Sequence, residues 1–87
     1  MEGKILIADD ETDIVVMLSQ FFQGKGYRIL TATNGVETLK QVENNPDIIL
    51  LDINMPGMDG LEVCQRIRDY VSCPILFLTA RIEDADK

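Results

Sequence analysis

Two groups of acids stand out in a chain that contains no histidine. Asp9, Asp10 and Glu11 follow directly on the apolar run Ile5-Leu-Ile-Ala8, and Asp52 follows directly on Ile48-Ile-Leu-Leu51. Three carboxylates in a row repel one another, and the crowding raises the pKa of at least one unless a cation is present. An aspartate or Thr12 can serve to cap the next helix; capping does not account for all three acids. Asp52 by itself reads as a polar residue that ends a strand. Taken with the first group, it is a carboxylate at the carboxyl end of a central parallel strand, where open α/β sheets place their chemistry. Carboxylates gathered there need a positive charge, and an all-oxygen set completed by water suits Mg²⁺ or Mn²⁺. A phosphate oxygen can then lie opposite the carboxylates, with Asp52 as the nucleophile that forms an acyl phosphate. Backbone N–H groups after Asp52 and the Thr79 hydroxyl are candidates to hydrogen-bond the other oxygens. The work of such a site is positioning and charge neutralisation.

The elements that must position these acids can be traced along the chain. Lys4 to Ala8 reads as a first strand. Thr12 to about Gln23 reads as a helix with a stripe of Ile14, Leu18, Phe21 and Phe22, widened by Val15 and Met17. Gly24 or Gly26 supplies its stop. Tyr27 to Thr33 is shorter and more polar and reads as an edge strand. Asn34-Gly35 reads as a turn, after which Val36, Leu39 and Val42 recur at helical spacing until Asn45-Pro46 closes the helix. Ile48 to Leu51 is an unbroken apolar run with β-branched members, the pattern of a strand buried on both faces. Met55-Pro-Gly-Met-Asp-Gly60 is a loop. Leu61 to about Val71 reads as a third helix with Leu61, Cys64, Ile67 and Val71 on its inner face, and Ile75 to Leu78 as a fourth buried strand that ends at Thr79.

The order βαβαβαβ with short connections implies a parallel sheet with right-handed crossovers. In a flavodoxin-like, doubly wound sheet ordered 2-1-3-4, strands one, three and four are neighbours. Their ends bring Asp9, Asp10, Asp52 and Thr79 to one pocket.

Composition narrows the function classes. The chain has 87 residues and a net charge of -7. One small domain is implied, and direct contact with nucleic acid is disfavoured for want of clustered Lys and Arg. Two cysteines, Cys64 and Cys73, are too few for a disulfide scaffold and read as core or half-core thiols of a reducing compartment. The start of the chain lacks a secretory pattern and no stretch could span a bilayer, so a cytoplasmic protein is expected.

The matching pieces Ile5-Leu-Ile-Ala-Asp-Asp-Glu11, Asp52-Ile-Asn-Met-Pro-Gly-Met-Asp-Gly60 and Leu78-Thr-Ala80 resemble the receiver domain of two-component response regulators, the CheY-like fold. The resemblance implies that Asp52 is the phosphoacceptor, that Asp10 holds Mg²⁺ directly and Asp9 largely through water, and that Asn54 offers its backbone carbonyl. It implies that Thr79 contacts the phosphoryl group. The donor would be a sensor histidine kinase or a small phosphodonor, and the domain an acceptor rather than a turnover enzyme. The parent would be a DNA-binding transcriptional regulator, most similar to those with a winged-helix output domain. The family continues with a fourth helix, a fifth strand and a last helix. Residues 1–87 are therefore expected to be a truncated receiver with no output domain. The family's lysine on the fifth strand and its aromatic switch residue would be missing, and Lys87 is no substitute by position.

Two further readings compete. A receiver-like fragment unable to switch would self-associate through an exposed edge of strand four. An aspartate-nucleophile phosphatase would want a second acid two residues after Asp52, where this chain has Asn54. A flavin site is disfavoured, because no phosphate loop follows strand one.

Overall fold

The computed structural model describes residues 3–53, 55, 57 and 60–78. Four strands and three helices alternate: β1 (Lys4–Ala8), α1 (Thr12–Gly24), β2 (Arg28–Ala32), α2 (Gly35–Gln41) with a 3₁₀ turn at Val42–Asn44, β3 (Ile48–Asp52), α3 (Gly60–Ile67) and β4 (Ile75–Leu78). The sheet order is β2-β1-β3-β4 and every pairing is parallel. That is the order expected for a flavodoxin-like, doubly wound sheet. Among the described residues no helix is long and apolar enough to cross a membrane.

Strand alternation splits the apolar residues between two faces. Ile5, Ile7 and Leu50 join Val15 of α1 in one cluster, with Leu18 and Phe22 packed against it. Leu6, Ala8, Ile49 and Leu51 join Val63, Cys64 and Ile67 of α3 in the other. β1 and β3 are thus buried on both sides, which is why their sequences are continuous apolar runs rather than alternating ones.

The helix limits have local causes. Asn34 is not a turn residue but the N-cap of α2, where its side chain accepts the Glu37 N–H at 2.8 Å. Glu37 reaches back to accept the Thr33 N–H at 2.9 Å, closing a reciprocal cap. Gly26, at φ 96°, ends α1 in a conformation that side chains disfavour, and the Tyr27 N–H bonds back to the Phe22 carbonyl. Helix α3 is shorter than its pattern suggested: after Ile67 the backbone tightens, with the Tyr70 N–H on the Ile67 carbonyl at 2.8 Å.

Four expectations about faces are corrected. Phe21 is 56% exposed and Met17 is also exposed, so the buried face of α1 is Val15, Leu18 and Phe22. Phe21 instead packs edge-on against Phe22, with the Lys25 ammonium 5.2 Å from its ring centroid. On α3 the inner face carries Val63 in place of the exposed Leu61, and on α2 it carries fully buried Thr38 in place of the exposed Val36. Thr38 tolerates burial because its hydroxyl donates to the Asn34 carbonyl at 2.7 Å. Lastly, β4 is not a buried strand: Leu76 and Phe77 are 51% and 40% exposed on an edge of the sheet.

These placements separate two substitutions that the sequence alone would rank together. Ile49→Ala, in a fully buried site, is expected to cost about 2–5 kcal/mol. Phe21→Ala loses one edge-on ring pair and an exposed cation–π contact and is expected to cost about 1 kcal/mol or less. Denaturant unfolding of the two variants beside the parent chain measures both.

Candidate functional site

Asp9 and Asp52 are brought together by strand register. The β1–β3 ladder pairs Ala8 with Leu51, so Asp9, just past the end of β1, lies beside Asp52, the last residue of β3. Asp9 is held on its far side as well, by its N–H on the Ala32 carbonyl of β2 at 3.0 Å. Both carboxyl-bearing residues are buried, Asp9 at 5% and Asp52 at 7% exposure, while Asp10 is exposed. One carboxylate oxygen from each of Asp9, Asp10 and Asp52 lies within 4.8 Å of the others. Of the five residues the sequence assigned to this site, these three meet. Asn54 and Thr79 lie outside the described residues, as does Lys87.

The Asp9 carboxyl shows what this convergence costs. Burial pushes its pKa above the usual 3.8, and the charges of Asp10 and Glu11 push the same way. The Glu11 N–H, donated to Asp9 Oδ1 at 2.9 Å, and a hydrogen-bonding contact with the Asp52 carboxyl pull it partly back. Two carboxyls in such contact need either a shared proton or a cation between them. The donor set is all oxygen and rich in charge, the combination that hard divalent cations prefer. Glu11 takes no part in the cluster. It is the N-cap of α1 by backbone position only, with no side-chain cap bond, so the expected cap from an aspartate or Thr12 is not made.

Two supporting residues escaped the sequence reading. Met55, in the loop after Asp52, is 4% exposed and belongs to the α3-side core, so the loop is anchored from within. Its signal was an apolar side chain in a turn-rich segment, one of two methionines there. Gly60, read only as punctuation, opens α3 and donates its N–H to the Ile53 carbonyl at 2.9 Å. A groove of about 500 Å³ between α2 and α3, lined by Leu39, Val42, Arg66, Ile67 and Tyr70, includes none of the three acids.

With this geometry the comparisons with known proteins agree. The model of the response regulator receiver domain matches residues 5–87. The chain belongs to this family. Its receiver fold is 45% identical over its whole length to the alkaline phosphatase synthesis transcriptional regulatory protein PhoP of Bacillus subtilis, of which it spans 37%. It is 46% identical over 99% of its length to the transcriptional regulatory protein ResD of the same organism, spanning 36% of that protein. The response regulator TrrA of Thermotoga maritima, solved in complex with Mg²⁺-BeF, superposes with a TM-score of 0.83 at 41% identity, covering 98% of this chain and 76% of that one. The chain therefore spans little more than a third of the curated relatives it matches.

Because burial raises Asp9 in the folded receiver, the native chain binds more protons than the unfolded one just above pH 3.8. Asp9's own contribution to stability falls as pH rises through that window, and its cost remains at neutral pH. Asp9→Asn removes the cost. In the presence of chelator the variant is expected to melt several degrees higher than the parent at pH 7.5, on the scale of about 4–8 °C per kcal/mol. The gain should shrink toward zero by pH 3.5. Melting curves across this pH range check the sign.

Proposed function

We propose that this receiver accepts a phosphoryl group on Asp52, with Mg²⁺ held by Asp9, Asp10 and Asp52. The observation that carries the reading is the convergence of three carboxylates at the ends of β1 and β3. The raised pKa of Asp9 supports it, since a site that resists its own charge in the absence of a cation has an electrostatic reason to bind one. The neighbour solved with Mg²⁺-BeF, a phosphate mimic, supports the same assignment. In the transfer, an Asp52 carboxylate oxygen forms the new O–P bond. The bond from phosphorus to a donor imidazole nitrogen breaks, and its electron pair leaves with the ring. A Mg²⁺ ion held by these acids would supply positive charge against the phosphoryl oxygens. Asp9 and Asp10 orient and hold that charge, Asn54 adds its main-chain carbonyl, and the Thr79 hydroxyl contacts a phosphoryl oxygen.

The donor is a sensor histidine kinase in the cytoplasm, and residues 1–87 are the signal-receiving part of a DNA-binding transcriptional regulator. Kinship with PhoP and ResD supports that parent. Incubation with a labelled small phosphodonor and Mg²⁺ should give one acyl phosphate per chain, cleaved by hydroxylamine. Asp52→Asn should take no label, and Asp10→Asn should weaken the Mg²⁺ dependence by about 10-fold or more. Undiminished labelling of Asp52→Asn would overturn the assignment.

A second reading concerns assembly, and the exposure of Leu76 and Phe77 on the edge strand favours it. A four-residue apolar strand with no charge of its own is a template for pairing with another chain. The 87-residue chain is expected to dimerise through β4 and Leu76→Lys to make it monomeric, as read by light scattering. A parent chain that stays monomeric at high concentration with native-like stability excludes this.

A further inference from the structure

We propose that Gly60 is a positioning residue of the acid site, setting where the Asp52 backbone lies relative to Asp9; the inference rests on the metal-site reading above. Helix α3 begins so close to the end of β3 that a Cβ on Gly60 would stand 2.3 Å from the Asp52 carbonyl oxygen, 2.7 Å from the Ile53 Cα and 2.9 Å from the Asp52 carbonyl carbon. All three obstacles are backbone atoms, so no side-chain rotation can make room. The Gly60 N–H meanwhile holds the Ile53 carbonyl at 2.9 Å. Contact and hydrogen bond together clamp the Asp52–Ile53 peptide between the sheet and α3.

The consequence is specific because Asp9 is held by other means. Its main chain is tied to Ala32 of β2, at 3.0 Å, and to the β1–β3 ladder before it. Any side chain at position 60 must push the Asp52–Ile53 peptide away by about 1 Å to reach ordinary contact, and a displacement of that size is enough to cost about 100-fold in a pre-organised site. It would move one carboxylate of the cluster while leaving Asp9 and Asp10 where β1 places them. A glycine that merely allows close packing of a helix would, on substitution, lower stability and leave the relation between the acids unchanged.

The test is the affinity of the full chain for Mn²⁺ alone, measured from the free-ion spin-resonance signal at a temperature where every variant is folded. Gly60→Ala is expected to weaken binding by about tenfold or more. Ile67→Val, at the other end of α3 and buried in the same core cluster, should stay within about twofold of the parent while losing stability. A folded Gly60→Ala that binds as the parent does overturns the positioning role and leaves the metal site standing. A parent chain that binds no Mn²⁺ overturns both. Should Gly60→Ala not fold, the parent chain still decides. Coupling is reciprocal, so Mg²⁺ must slow hydrogen exchange of the Gly60 N–H more than that of the Thr38 N–H in α2. Equal slowing of the two amides overturns the proposal.

Discussion

The receiver depends on one unfavourable proximity: two buried carboxyls, Asp9 and Asp52, forced side by side by the parallel pairing of β1 with β3. Left to electrostatics, these groups would separate. They stay together because each terminates a strand that is buried on both faces, and the apolar contacts of Leu6, Ile7, Ile49 and Leu51 are indifferent to what happens at the strand ends. Each such side chain contributes about 1.5–3 kcal/mol on burial. Several of them outweigh the repulsion of one acidic pair, so the core can hold the site in a charge state that it would not choose for itself.

The same logic explains why support is concentrated behind the acids. A like-charge pair pushes outward along the chain that follows it. After Asp52 that chain is retained by Met55, sunk in the α3-side core, and by the hydrogen bond from the Gly60 N–H to Ile53. After Asp9 it is retained by the Glu11 N–H on the Asp9 carboxylate and by the immediate start of α1. Site geometry is thus an outcome of packing several residues away, and the acids themselves contribute little to it.

Much of this was legible before any coordinates. The two continuous apolar runs ending in acids implied interior parallel strands, the alternation of elements implied a parallel sheet, and the flavodoxin-like order expected for it is the one observed. Helix faces were harder. Ile14, Leu18, Phe21 and Phe22 satisfy helical spacing, yet a single helix over one part of the sheet buries a narrower arc, and Phe21 and Met17 fall outside it. Periodicity reports which residues are apolar, not how wide a surface the neighbouring layer offers. Thr38 shows the converse: a polar residue outside the apolar stripe is buried because its hydroxyl finds a carbonyl four residues back. Gly60 was illegible for a third reason. A glycine before a helix fits a turn as well as a close approach, and only the position of the Asp52 carbonyl distinguishes them.

The division of labour across the sheet has a further consequence. The acids belong to β1 and β3, the two interior strands, each with a ladder on both sides. Thr79 follows β4, which among the described residues is paired on one side only and carries exposed Leu76 and Phe77. The charge-bearing half of the site therefore takes its geometry from strands that cannot shift without breaking two ladders. Thr79 follows a strand that, among the described residues, can shift at the expense of one. A shift of β4 reaches the acids through the β3–β4 ladder, where the Ile53 N–H meets the Leu78 carbonyl at a long 3.4 Å. The acids and the residue that follows β4 thus answer to different ladders.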